Sequence, residues 1–292
     1  MIPAPFEYEA PTTLDEALAL LEKHGDDAKI LAGGHSLIPM MKLRFAEPEM
    51  LIDINNIPGL SYIKEENGHL QIGAMTREAE LEHSDLIRSK YPIFTDASKL
   101  IADPQVRNMG TIGGNIAHGD AANDHPAVMI ALNAQVEITG KEGKRTVGID
   151  DFFKGFYMTA LEPNEILTAL HIPTPTAGTG NAYHKLERKV GDYATAGVAV
   201  QLTLDSSGVV TYAGIGLTNV NPIPMRAARS EQALIGKKLT EETIAQAAQF
   251  ASEDCNPSKD LRGDVAYKRA MVGVITKRII QKAAERALAT EA

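Results

Sequence analysis

Two short segments carry the residues best suited to hold an anion: Ala32-Gly33-Gly34-His35-Ser36 and, about 80 residues later, Thr111-Ile112-Gly113-Gly114-Asn115. The first lies where an apolar strand, AKIL, runs into a glycine pair and then a helix. Backbone N–H groups are free at such a turn, the helix dipole adds partial positive charge, and glycine lets a phosphate approach the main chain. The second offers the same equipment without being a Rossmann or Walker A sequence. A dinucleotide's diphosphate carries two negative charges. With 29 Lys plus Arg against 38 Asp plus Glu, the chain must meet them locally, with N–H dipoles and hydroxyls such as Ser36 and Thr111. Each pair alone reads equally well as a plain tight turn; two that converge make a cradle.

Other chemistries find less support. Gly214-Ile215-Gly216-Leu217-Thr218-Asn219 resembles the start of G-x-G-x-x-G, but it lacks the third glycine and has no helix after it, so it reads as a glycine-bearing core strand. His35, His118 and His125 share no helical ligand spacing, and Asp120 and Asp124 suit turn capping, so no metal site is expected. No G-x-S-x-G or Cys–His pairing supports nucleophilic hydrolysis. The single cysteine, Cys255, sits in a polar turn, SEDCNPSK, and reads as incidental. One thiol forms no internal disulfide and cannot ligate an ordinary iron–sulfur cluster. A net charge of −9 opposes nonspecific attraction to nucleic acid or anionic membranes. The opening MIPAPFEYEAPTT has no basic n-region or apolar h-region, and no run reaches the ~20 apolar residues of a membrane span, so a soluble cytoplasmic protein is expected.

The elements that must position these residues follow from periodicity and punctuation. A helix over 13–24 starts at a Thr cap and stops at Gly25. Strand AKIL, the first glycine turn, a helix from Ser36 with Pro39 in or near its first turn, and a strand at 50–54 complete an opening unit of about 55 residues. A strand at 69–76 precedes a helix interrupted before Pro92. Then come a further helix, a long glycine-bearing loop, a helix from about Pro126, and strands AQVEIT and ILTALHIP. PTPTAGTG at 174–180 is the best boundary. Beyond it lie three antiparallel strands, NAYHKLERKV, GVAVQLTLD and VVTYAGIGLT, and two helices, TEETIAQAAQFASE and a long amphipathic one from Val265. The fold class is α+β, with domains over 1–177, in subdomains of about 1–55 and 56–177, and 178–292.

Together the residues resemble the FAD-binding medium subunits of the aerobic carbon monoxide dehydrogenase type, and more widely the flavin domain of the xanthine dehydrogenase family. The similarity runs through MIPAPFEYEAPTTLDEALALL, LAGGHSLIPMMKLR, LIDINNIPGL, IGAMT, IADPQVRNMGTIGGNIAHGD, KLERKVGDYATA and GIGLTNV. AGGHS and TIGGN at this separation are specific to the family only as a pair. The resemblance implies a p-cresol methylhydroxylase-type FAD domain followed by the antiparallel C-terminal domain.

It further implies that Ala32 through Ser36 and Thr111 through Asn115 hold the FAD diphosphate and that Ile101 and Ala102 lie near the flavin ring. Asp124 would contact the ribose end, Leu167 and Lys185 would supply further contacts, and Tyr193 would cover one face of the isoalloxazine. Without the resemblance, Asp124 reads as an N-cap before Pro126, Leu167 as a buried strand leucine, Lys185 as an exposed strand lysine and Tyr193 as a core tyrosine.

The implied role is an electron relay with no catalytic residue acting on substrate in this chain. A large molybdenum-cofactor subunit oxidises the substrate, a small subunit with [2Fe–2S] clusters conducts, and FAD passes electrons to a quinone or other acceptor, in a dimer of heterotrimers. Carbon monoxide leads as substrate; aldehydes, purines and N-heterocycles stay open, as do a stand-alone flavin oxidoreductase and a flavin-storing protein.

Overall fold

The computed structural model describes residues 1–289, which form three units in chain order. The first contains β1 (Glu7–Glu9), α1 (Leu14–His24), β2 (Ala28–Leu31), α2 (Leu37–Lys42) and β3 (Met50–Asp53). Its three strands are parallel in the order β1-β3-β2. Helix α1 starts at a capping box: the Thr13 hydroxyl accepts from the Glu16 N–H while the Glu16 carboxylate accepts from the Thr13 N–H. Gly25, at φ +55, ends it. At the C-terminal end of β2 the first glycine turn meets the second unit, where Gly33 lies against the Met109–Gly110 backbone.

The second unit contains β4 (Ile63–Glu66), β5 (His69–Gly73), α3 (Glu78–His83), α4 (Asp85–Lys90), α5 (Pro92–Ser98), α6 (Pro104–Met109), α7 (Ile112–Ala117) and α8 (His125–Ala131). It continues with β6 (Gln135–Gly140), β7 (Gly143–Gly148), α9 (Ile149–Phe152), β8 (Phe153–Gly155), β9 (Met158–Thr159) and β10 (Ile166–Pro173). Strands β4-β5-β10-β6-β7 form an antiparallel sheet whose apolar face packs on the helices. The helix expected to run up to Pro92 is divided. Ser84 is extended (φ −66°, ψ 124°), its hydroxyl caps α4 through the Ile87 N–H, and Pro92 then opens α5. The expected long loop after residue 100 also contains α6 and α7, each with its own cap: Asp103 accepts from the Val106 N–H and Thr111 from the Gly114 N–H. Helices of six residues are too short for a periodic apolar stripe to register.

The third unit contains β11 (Thr179–Leu186), β12 (Ala196–Leu204), β13 (Val210–Thr218), β14 (Met225–Arg226), α10 (Ala228–Leu234), α11 (Glu241–Asp254) and α12 (Val265–Ala289). Its antiparallel sheet has the order β11-β12-β13-β14. Strand β11 begins inside the expected boundary segment, at Thr179. The glycines of GIGLT serve packing against α8 of the second unit: a Cβ on Gly214 would lie 2.1 Å from the Ala131 carbonyl oxygen, and one on Gly216 2.1 Å from that of Ala127. Cys255 departs from the polar-turn expectation. It ends α11 fully buried, its thiol donating to the Ser252 carbonyl, because the apolar residues before it carry the segment into the third core.

Candidate functional site

A cavity of about 730 Å³ lies where the three units meet, a size suited to a cofactor. Every residue expected to hold the cofactor lines it except Ile112, whose side chain is fully buried in the second core. Ile112 lies on the inward side of α7, so the TIGGN segment presents only part of itself to the cavity.

The two glycine turns differ in what their backbones offer. In the first, the N–H groups of Gly33, Gly34, His35, Ser36 and Leu37 have no hydrogen-bond partner among the described residues, and all five residues line the cavity. In the second, the donors are already engaged. Ile112 donates to the Thr76 carbonyl (3.1 Å), Gly113 to that of Ala74 (2.9 Å), Gly114 to the Thr111 hydroxyl (3.1 Å) and Asn115 to the Thr111 carbonyl (2.9 Å). The expectation of two equivalent N–H cradles is corrected accordingly: α7 turns inward against the segment after β5, which takes two of its donors, and its own cap residue Thr111 takes the other two. What the second turn contributes is close approach. A Cβ on Gly113 would sit 2.5 Å from that of Ala74, and one on Gly114 3.7 Å from that of Ala32, which brings the two turns together. Gly33 answers from the other side, where a Cβ would lie 2.4 Å from the Met109 carbonyl oxygen.

Arg77 ties the turns to each other. Its guanidinium donates to the Met109 carbonyl and, at 2.6 Å, to the Asn55 side-chain oxygen, while the Asn55 amide donates to the Ala32 carbonyl at 2.9 Å. Neither residue stood out in the sequence, because an arginine and an asparagine in loops have no signature of their own. Of the carbonyls they hold, that of Ala32 opens the first turn and that of Met109 lies two residues before the second.

Asp124 precedes α8 but makes no side-chain cap. Its carboxylate instead accepts from the Tyr183 hydroxyl and from Lys185 Nζ at 3.0 Å. Burial pushes the Asp124 carboxyl up, against the opposing pull of Lys185. Lys185 is 3% exposed, contrary to the exposed lysine that its strand position suggests alone, since the cavity wall closes over β11. Leu167 is buried on β10 and reaches the same cavity. Ile101, Ala102 and Tyr193 line the cavity together, the Gly191–Tyr193 loop lying against Ala102. Tyr193 is 42% exposed and so forms part of a rim instead of a core.

The remaining histidines are separately engaged. His125 is fully buried with Nε2 2.7 Å from Glu78 Oε2, a carboxylate that also accepts from the Ser98 hydroxyl. His118 packs its ring on Tyr157, and His35 lines the cavity at the first turn. No cluster of three or more potential metal ligands occurs among the described residues, and none of their helices is long and apolar enough to cross a membrane. Asn115 leaves its side-chain oxygen buried without a partner. Free N–H donors at one turn, a close-packed second turn and this unpaired amide fit a ligand with a diphosphate and polar appendages.

Comparison with known proteins agrees with this architecture. Residues 4–175 match the family described as the FAD binding domain in molybdopterin dehydrogenase, and residues 181–283 the CO dehydrogenase flavoprotein C-terminal domain. The chain is 52% identical over 283 residues to the carbon monoxide dehydrogenase medium chain of Hydrogenophaga pseudoflava, covering 97% of this chain and 98% of that one. A solved carbon monoxide dehydrogenase from the same organism superposes with a TM-score of 0.95 over 98% of this chain and 99% of that one, at 54% identity. Quinoline 2-oxidoreductase from Pseudomonas putida 86 superposes with a TM-score of 0.92 at 35% identity, over 99% of this chain and 100% of that one. With both domains matched in order and nearly the whole length shared, the chain belongs to the FAD-binding medium subunits of carbon monoxide dehydrogenase and related molybdenum hydroxylases.

Proposed function

We propose that this chain holds FAD across the cavity and relays electrons within a carbon monoxide dehydrogenase complex. The observation that carries the reading is the run of five unpaired N–H groups from Gly33 to Leu37, on residues that line a cavity in a chain with net negative charge. Bound there, FAD accepts electrons one at a time and can release two to an acceptor.

The chain's own residues bind and orient. The first turn and the Ser36 hydroxyl hold the diphosphate, and Thr111, Gly113, Gly114 and Asn115 set the opposite wall at contact distance. Asp124 and Lys185, paired at 3.0 Å, give the ribose side both an acceptor and a donor. Leu167 supplies an apolar surface, and Ile101, Ala102 and Tyr193 enclose the ring end. No side chain is required to move a proton on the substrate, which is oxidised at a molybdenum centre of a large partner subunit. Electrons arrive from [2Fe–2S] clusters of a small partner and leave to a quinone or other acceptor. The exposed Phe156, Met158 and Val190, next in sequence to the cavity residues Tyr157 and Gly191, support a docking rim beside the ring end. The assembly is a dimer of heterotrimers in the cytoplasm, with this chain divided functionally at about residue 177.

The test is to copurify the native complex, measure flavin, iron and molybdenum per chain, and assay carbon monoxide beside an aldehyde, a purine and an N-heterocycle. One flavin per chain with carbon monoxide turnover is expected. A complex without flavin overturns the cofactor assignment, and turnover of another substrate alone overturns carbon monoxide.

A further inference from the structure

Tyr193 stands at the end of a loop that the third unit grips from behind. Asp192, almost fully buried, accepts from Arg188 Nε (2.9 Å) and from Arg262 Nη2 (2.8 Å), and its carboxylate also takes the Tyr193 backbone N–H (2.9 Å). The Arg262 guanidinium carbon lies 5.6 Å from the centre of the Tyr193 ring, within the range of a cation–π contact. Arg262 is itself fixed. Its N–H and that of Gly263 donate to one oxygen of Asp260, whose other oxygen accepts from the buried Lys268 on α12 at 2.8 Å. On the cavity side the loop meets the Ile101–Ala102 segment. A Cβ on Gly191 (φ +79°) would lie 2.5 Å from the Ala102 carbonyl oxygen, and Ala102 itself has φ +46°. Two backbones in the left-handed region thus press on each other where the ring end lies, and neither is held by a regular element.

We propose that Arg262 is a positioning residue through which the C-terminal domain fixes Tyr193 against the cavity, and that it thereby governs how tightly and in what environment the flavin ring is held. This rests on the reading of the cavity as an FAD site with Tyr193 at the ring. The guanidinium engages the carboxylate through Nη2 while its carbon stays near the phenol ring; a lysine keeps the charge but loses the planar group that reaches both at once. The grip comes from a segment that itself lines none of the cavity, about 70 residues further along the chain.

The full-length chain, purified with any subunits that accompany it, is stripped of flavin and titrated with FAD, following both affinity and the fluorescence of the bound flavin. Arg262→Gln is expected to weaken FAD binding about tenfold, which is about 1.4 kcal/mol. It should also raise bound-flavin fluorescence several-fold, as the phenol quenches a loosely held ring less. Arg262→Lys should fall between the two. In a Tyr193→Leu background, Arg262→Gln should change affinity less than twofold. An equal loss with and without Tyr193, or no change in either readout, overturns the proposal. Should Arg262→Gln not fold, Asp192→Asn breaks the same link and is read in the same way. A wild-type chain that binds no FAD overturns the underlying site instead, so the two failures are distinct.

Discussion

The two glycine turns, Ala32–Ser36 and Thr111–Asn115, each carry one glycine pair and line the same cavity, yet they work by different physics. The first follows a parallel strand and leaves unpaired its four donors from Gly33 to Ser36 and that of Leu37 after them; the second opens a short helix whose first donors are taken up by Ala74, Thr76 and Thr111. One is equipped to bind an anion, the other to hold the wall at which that anion rests. A glycine pair before a helix therefore does not by itself announce free N–H groups. What surrounds the helix decides.

The difference is open to several tests. The largest effect is expected at the glycines. Gly113→Ala drives a Cβ into the Ala74 backbone and should cost about 1–3 kcal/mol of stability, lowering the Tm of flavin-free and flavin-loaded protein alike. Gly33→Ala drives a Cβ equally close to the Met109 carbonyl and should likewise cost about 1–3 kcal/mol, but unlike Gly113→Ala it should also lose flavin, about tenfold or more in affinity by fluorescence titration. If the two variants behave the same, the contrast between the turns fails.

Arg77→Met removes the link between the turns. Hydrogen bonds from a charged group contribute about 1.5–3 kcal/mol, so denaturant unfolding should show a loss of that order together with weakened FAD binding. Thr111→Val deletes a helix cap and should cost about 1 kcal/mol in the same measurement. Ser36→Ala deletes none, since the Ser36 hydroxyl caps nothing in α2. It should leave stability within about 0.5 kcal/mol while reducing FAD affinity, the opposite partition from Thr111→Val.

The smallest effect is a pH dependence remote from both turns. Hydrogen bonds from Arg262 and Arg188 hold the Asp192 carboxyl down to about 2. A depressed carboxylate contributes stability that is complete above its unfolded pKa of about 4 and is lost as pH falls toward 2. Acid unfolding should therefore gain a component between about pH 4 and pH 2 that moves toward pH 4 in Arg262→Gln, followed by the Tyr193 loop's protease sensitivity. An unmoved component would remove Asp192 from the account.

Much of the fold was legible from local signals. The Thr13 cap, Pro39, the apolar strand ILTALHIP and the long C-terminal helix all act over a few residues, and the structure places Thr13 at the N-cap of α1 and the others within elements as expected. The short helices after Ser84, Asp103 and Thr111 were not, because six residues give too few turns for a periodic pattern even when the cap is present. Strand β1 is three exposed residues whose only claim to be a strand is its parallel partner β3. In the site, fifteen of the sixteen expected residues line the cavity and Ile112 does not. Its inward direction depends on the helical register of α7, which a glycine-rich segment hides.

The sequence alone determined what the chain lacks and where its backbone can bend. One thiol cannot supply a cluster's ligands, and two glycine pairs permit close approach wherever they are placed. Tertiary structure alone decided which donors stay free, why Lys185 is buried against Asp124, and that Arg77 and Arg262 brace the site from elsewhere. The reason is that a hydrogen bond belongs to a pair of groups. The partners at issue here come from segments tens of residues apart, brought together only when each unit folds and the units pack.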